Sequence, residues 1–276
     1  MEMQMLHIFR NTPLGREMLL QSAYFCKQLE ILPLIYIPDY VKFLMYFEND
    51  VVQVDLDASY LKAPDSAKAH AAEIVQGMGL PGVRFFTPKH FTASTLPDLP
   101  VDFDFMCCPR SISDLSSKIG LGYIGPRVRR IVKSARFPVL IPSAVFKPWT
   151  SIAVLFGGSS NAVKALRLGI RLSRRSGMPL DVFSHPESRS RPDYENILQE
   201  AGLKDDFDNH VRTWRILENR PFEENLYEIP HDALLVLGAY GHGLIKELLF
   251  GSTMEVVQTV APNSMLIVGP NYRAVL

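Results

Sequence analysis

The chain has 276 residues, 47% of them hydrophobic and 21% charged, with 29 Lys+Arg balanced by 29 Asp+Glu. That is enough apolar material to fill two ordinary domain cores, so wholesale disorder is excluded, and zero formal charge gives no sign of a nucleic-acid or anionic-membrane partner. Cys26, Cys107 and Cys108 have no metal-ligand spacing, and neighbours on a strand face opposite ways, so a reducing cytoplasm is expected.

In chain order, MEMQMLHIFRN lacks a basic segment followed by a long apolar one, so no targeting segment is expected. Residues 5–9 read as a short apolar strand followed by a turn and a helical pattern. Residues 29–47 are the richest apolar region, but Glu30, Pro33, Pro38, Asp39 and Lys42 interrupt it. A membrane span needs ~20 clean apolar residues, so none is expected. Residues 40–57 have no clear reading. Cys107-Cys108 end an apolar strand and read as buried. Arg127, Arg129, Arg130, Lys133 and Arg136 crowd the helix after Gly125. With no aromatic residues interleaved, they read as a solvated face balanced by acids elsewhere.

The chain then repeats itself. GPRVRRIVKSARFPVLIP begins at Gly125, and GSTMEVVQTVAPNSMLIVGP begins at Gly251. Without gaps at this offset, Ile131 falls on Val257, Ala135 on Ala261, and Val139-Leu140-Ile141 on Met265-Leu266-Ile267. Each segment reads as glycine, helix, short loop and buried strand. Residues 5–9 likewise match 152–156. Two homologous halves are expected, 1–146 and 147–276, joined near Lys147-Pro148.

The second half alternates regularly. Strand 152–156 ends at Gly157-Gly158. Helix 161–175 carries Ala162, Ala165, Leu166, Gly169 and Leu172 on one face and ends at Gly177. Strand 180–184, helix 194–201, strand 211–216 and helix 222–229 follow. Strand 233–237 has no polar residue, which implies burial on both faces. The fold class is therefore α/β, with a parallel, doubly wound, Rossmann-like sheet.

Ligands of such sheets sit outside the carboxyl ends of the strands. There the chain reads GAYGHGLIKELLFGST, with Gly238, Gly241, Gly251 and Ser252. In one reading, Cβ-less glycines and a helix N-terminus seat a phosphate. In the other, Ser252 and Glu255 form a capping box and the glycines only turn the chain. Spacing leaves both open. His242 reads as a surface residue, and Lys246 and Glu247 as a solvated face. His185, His210 and His231 lack metal-ligand spacing, and there is no P-loop, nucleophile elbow or dinucleotide fingerprint. No catalytic residue and no metal site are expected.

The spacing G-x2-G-x9-G-S, met by Gly238, Gly241, Gly251 and Ser252, resembles the nucleotide-binding signature of the universal stress protein family. HDALLVLGAYGHG is similar to that family's fourth strand and loop, and APNSMLIVGP to its last strand. The first half resembles a degenerate second copy. The resemblance implies two tandem domains, each with a five-stranded parallel sheet. It also implies ATP or another adenine nucleotide, with or without Mg, bound as a sensor or regulator of a stress response.

Gly238, Gly241, Gly251 and Ser252 would then touch phosphate and ribose, while Ala239, His242 and Thr253 would line the same pocket. Adenine would lie near Gly157 and Ser184. Related ATP binders usually carry an acidic residue where Gly157 stands, so the FGGSS backbone would supply donors instead. Rival readings are slow ATP hydrolysis or autophosphorylation at Ser252 or Thr253, and a ligand-free scaffold.

The gapless offset sets Ile112, Leu115 and Pro126 against Gly238, Gly241 and Ser252. The first half is accordingly expected to have lost the site, and those three second-half residues to be unneeded by the architecture. The family's pairing of last strands implies that 139–141 faces 265–267 as a pseudo-dimer. A homodimer of full chains would be a further step.

Overall fold

The computed structural model describes residues 2–88, 96–110, 112, 124–185, 189–218, 221–240 and 263–274. These fall into two compact units, Met1–Pro148 and Trp149–Ala274.

In the first unit, QMLHI forms β1 (Gln4–Ile8), whose last four residues are buried. Thr12 then opens α1 (Pro13–Gln28): its hydroxyl accepts from the Gly15 amide at 3.1 Å, and Pro13 begins the helix without needing a donor. The parallel strands β2 (Leu32–Tyr36), β5 (Arg84–Phe86), β7 (Phe105–Cys107) and β8 (Val139–Ile141) complete a sheet of order β5-β2-β1-β7-β8. Helices α2 (Pro64–Gly77) and α3 (Pro126–Ser134) supply crossovers. Phe9, Leu19, Ala23, Ile35, Ala67, Ala71 and Val75 pack as one buried cluster. That burial is the main source of the unit's stability.

The stretch 40–57, which had no sequence reading, is an antiparallel hairpin. Strands β3 (Lys42–Phe47) and β4 (Asp50–Asp55) pair, and β3 also pairs in parallel with the short β6 (Asp98–Leu99). Phe43, Met45, Val52 and Val54 point inward with period two. The hairpin also supplies the acids that balance α3. Arg127 pairs with Asp55, Arg136 with Glu48, and Arg130 grips Asp50 through Nε at 2.7 Å.

All three cysteines are buried and free, and burial pushes their thiols up, so none has the lowered pKa of a reactive cysteine.

The second unit repeats the order. Strands β9 (Ser151–Leu155), β10 (Leu180–Ser184), β11 (Val211–Ile216), β12 (Ala233–Gly238) and β13 (Met265–Val268) lie parallel as β11-β10-β9-β12-β13. Helix α4 (Ser160–Ser176) ends at Gly177 as expected. Helix α5 (Arg191–Glu200) starts earlier than the apolar pattern indicates, because Asp193 reaches back to the Ser190 amide at 2.7 Å. A short α6 (Lys204–His210) follows, too polar to show an apolar period. The expected helix 222–229 is only α7 (Phe222–Asn225) and a 3-10 turn at Leu226–Glu228.

Candidate functional site at the carboxyl ends of β9 and β12

All five residues of β9 are buried, and so are all six of β12. The two strands lie side by side, with Leu155 opposite Leu237. Strand order reverses here: the chain leaves β9 toward β10 on one side and reaches β12 on the other. The crevice outside such a reversal is where doubly wound sheets take ligands.

Leaving β9, the Phe156 amide donates to the Phe183 carbonyl at 2.8 Å, and Gly157-Gly158 turn the chain, Gly158 with φ of 73°. Ser159 caps α4 by accepting from the Ala162 amide at 3.2 Å. Arg189 crosses this turn and donates from Nη1 to the Gly157 carbonyl at 3.0 Å, bringing a guanidinium to the edge of the crevice. Sequence reasoning missed Arg189, because nothing in SRSRPD marks one arginine over the next.

Leaving β12, Gly238 is the last strand residue rather than the first of the loop. A Cβ on it would stand 2.4 Å from the carbonyl carbon and oxygen of Asn161 and 2.7 Å from the Ala162 nitrogen. Gly238 is therefore demanded by the packing of β12 on α4. This corrects the expectation that the architecture does not need it.

Ala239 is anchored at both ends of its peptide: its amide donates to the Val268 carbonyl at 2.8 Å, and its carbonyl accepts from Asn161 Nδ2 at 2.6 Å. It can line a pocket, but its amide is already committed. Tyr240 follows with φ of 59°, a left-handed conformation that non-glycine residues seldom hold outside functional or tightly constrained places. Lys164 Nζ is held 2.6 Å from the Pro270 carbonyl; burial, then the nearby Arg273, lowers its pKa.

The structure thus brings Gly157, Gly238 and Ala239 to one edge of the sheet. Ser184 is buried and its hydroxyl accepts from Trp214 Nε1 at 3.1 Å, so it is already partnered. Gly241, His242, Gly251, Ser252 and Thr253 lie outside the described residues, as do Leu115, Lys246 and Glu247.

Strand registers also correct the internal alignment. Thr12 and Ser159 cap their helices alike, which lays β1 on β9 with Met5 opposite Ile152. Met5 pairs with Phe105 and Ile152 with Leu234, so Phe105 is the counterpart of Leu234. Carried along the strands, Pro109 corresponds to Gly238 and Arg110 to Ala239. Ile112 is not the counterpart of Gly238. The gapless match fails because Met106 lies 33 residues before its partner Val139, whereas Leu235 lies 30 before Met265. On the β1 register, Arg10 occupies the place of Gly157.

Among the described residues, no helix is long and apolar enough to cross a membrane, and no His, Cys, Asp and Glu side chains cluster as metal ligands.

No family model matches the chain. Over 196 residues, 68% of its length, it is 26% identical to a universal stress protein of Synechocystis sp., and the match spans 66% of that protein, just under two thirds. Among solved structures, a universal stress protein from Archaeoglobus fulgidus DSM 4304 superposes with a TM-score of 0.60 at 16% identity, covering 96% of each chain. A putative universal stress protein from Pseudomonas aeruginosa UCBPP-PA14 gives 0.53 at 12% identity, covering 97% of this chain and 93% of that one. The cytoplasmic domain of a prokaryotic cation chloride cotransporter gives 0.54 at 11% identity, covering 97% and 95%. The structural likenesses show a shared fold.

Proposed function

We propose that this chain is a member of the universal stress protein family, a reading supported by its similarity to the Synechocystis protein and by the shared fold, and that its second unit binds an adenine nucleotide, ATP, as a sensor or regulator. The observation that carries the reading is the coincidence of motif and topology: the G-x2-G-x9-G-S spacing begins at Gly238, where β12 ends beside β9 and strand order reverses. Three further features support it. Gly157 and Gly158 add no side chain of their own to the other wall of the crevice. Arg189 adds positive charge over that turn. Tyr240 holds a strained backbone inside the motif. Phosphate contacts would come from the Gly241 and Gly251 amides and the Ser252 hydroxyl, with His242 and Thr253 lining the pocket and Mg as an accompanying ion.

A ligand-free scaffold has one observation in its favour, the packing need that explains Gly238 without a ligand. Calorimetry of ATP, AMP and inorganic phosphate against wild type, Gly241→Val and Ser252→Ala separates the two. ATP binding that both variants lose while retaining wild-type unfolding curves supports the nucleotide site. A folded wild type that takes up none of the three leaves the scaffold.

The proposal includes an intramolecular pseudo-dimer of the two halves. A protease site placed at Lys147-Pro148 tests it: the cleaved halves should still elute together.

A further inference from the structure

We propose that the first unit carries its own ligand site, for a small organic anion with an apolar body, in the cavity at the carboxyl ends of β1, β7 and β8. The inference does not rest on nucleotide binding by the second unit.

The cavity has a volume of about 120 Å³, and His7, Arg10, Leu14, Met18, Arg110 and Pro142 are among the residues that line it. An engineered cavity of ~150 Å³ accommodates benzene. The space therefore suits a ligand of about one ring and is too small for a nucleotide.

Three polar groups give the cavity its chemistry. Arg110 is partly buried, and its guanidinium has neither hydrogen bond nor ion pair with any described side chain. An arginine stays charged in proteins, and partly burying a charge without a counterion is costly, so this guanidinium favours an anion beside it. Arg10 is held in place by the Asp57 carboxylate at 3.2 Å and by the Tyr60 ring, with its guanidinium carbon 5.3 Å from the centroid. It shapes the wall as a fixed second cation. His7 is only 4% exposed, and its Nδ1 has no partner among the described residues. Burial lowers its pKa to about 3, so it stands neutral and offers one unsatisfied ring nitrogen to an occupant. Leu14, Met18 and Pro142 supply apolar contact for the body of the ligand.

The fold does not require these groups. At the matching places the second unit carries Gly157 and Ala239 where the first carries Arg10 and Arg110. The same strand order is built with neither cation at these places, so among the described residues two arginines converge on one cavity in the first unit.

Calorimetry on the full chain provides the test, with benzoate, neutral benzyl alcohol and inorganic phosphate as probes. Benzoate should bind saturably at one per chain, and the other two at least about tenfold more weakly, since one lacks the charge and the other the apolar body. Arg110→Gln should weaken benzoate at least about tenfold. Leu14→Trp, at a position 41% exposed, should block entry with the fold intact, and it decides the matter if Arg110→Gln does not fold. Saturation with ATP should leave the benzoate heats unchanged, and benzoate binding by a chain that takes up no ATP would still support this site. The proposal is overturned if wild type shows no saturable benzoate binding, if phosphate or benzyl alcohol matches benzoate, if ATP competes, or if Leu14→Trp binds benzoate as wild type does.

Discussion

The Asn161 carboxamide donates from Nδ2 to the Ala239 carbonyl at 2.6 Å, stitching the first turn of α4 to the chain as it leaves β12. Asn161 is 4% exposed, so the bond is made away from water. Asn161→Ala leaves the Ala239 carbonyl without this donor, at a cost of about 1–3 kcal/mol. Asn161→Asp should not rescue it, because a carboxylate has no N–H to give. Urea unfolding should show both losses, and ATP affinity should fall with them, since the motif starts at this carbonyl. Wild-type stability in both variants would show that the bond is dispensable.

Gly238 has to be judged by stability before it is judged by binding. An added Cβ would stand 2.4 Å from backbone atoms of Asn161, and backbone cannot swing aside as a flexible side chain can. Gly238→Ala should therefore cost about 1–3 kcal/mol, the usual range for overpacking. The loss should appear as a lower urea midpoint with no nucleotide present. A variant as stable as wild type would return Gly238 to the ligand side of the ledger.

The arginines of α3 face acids of the β3–β4 hairpin rather than an outside polyanion. Arg130 is 54% exposed and bonded to Asp50, and Arg136 is 47% exposed against Glu48. Exposed pairs of this kind are worth about 0–1 kcal/mol. Arg130→Ala and Arg136→Ala should each change the unfolding free energy by less than about 1 kcal/mol. Neither wild type nor variants should shift a mixed-sequence DNA duplex at physiological salt. A salt-dependent shift with wild type that both substitutions remove would reverse this assignment.

What the sequence made legible was whatever repeats with a period. Strand 233–237 was readable because an unbroken apolar run implies burial on both faces, and all six residues of β12 are buried. The α4 cap at Gly177 was readable from its position after the last apolar turn. The hairpin 40–57 was not, because Leu44, Tyr46 and Val51 put apolar residues on its outward positions and mask the alternation, and Asp50 and Asp55 find their cations far along the chain, in Arg130 and Arg127. The Gly238 packing was hidden for a similar reason: its cause is the backbone of Asn161, 77 positions earlier. A gapless repeat then supplied the wrong counterpart, since three extra residues between the fourth and fifth strands of the first unit leave no mark on composition. The cationic cavity was invisible because Arg10 and Arg110 meet only through the strand order.

His7 gives the fold an acid-side weakness with a defined window. Its pKa is about 3 in the folded chain against 6.5 for an exposed imidazole, because burial disfavours the charged ring. Above pH 6.5 the ring is neutral in folded and unfolded chains alike, so this group adds no pH dependence. Below that point the unfolded chain takes up a proton that the folded chain refuses. Stability then falls by about 1.4 kcal/mol per pH unit until the folded pKa is reached. Between pH 7 and pH 5 the expected loss from this residue is about 2 kcal/mol. Asp181 does not blur the window. Burial alone would raise its carboxyl, but hydrogen bonds from Arg212 and Thr213 outweigh that and hold it below the ordinary value, so its contribution is lost only as pH falls below the usual carboxylate range. Urea unfolding of wild type and His7→Gln at pH 7, 6 and 5 isolates the effect as the difference in slope. The variant should lose about 2 kcal/mol less over that interval, and parallel slopes would mean that His7 is protonated in the folded chain after all.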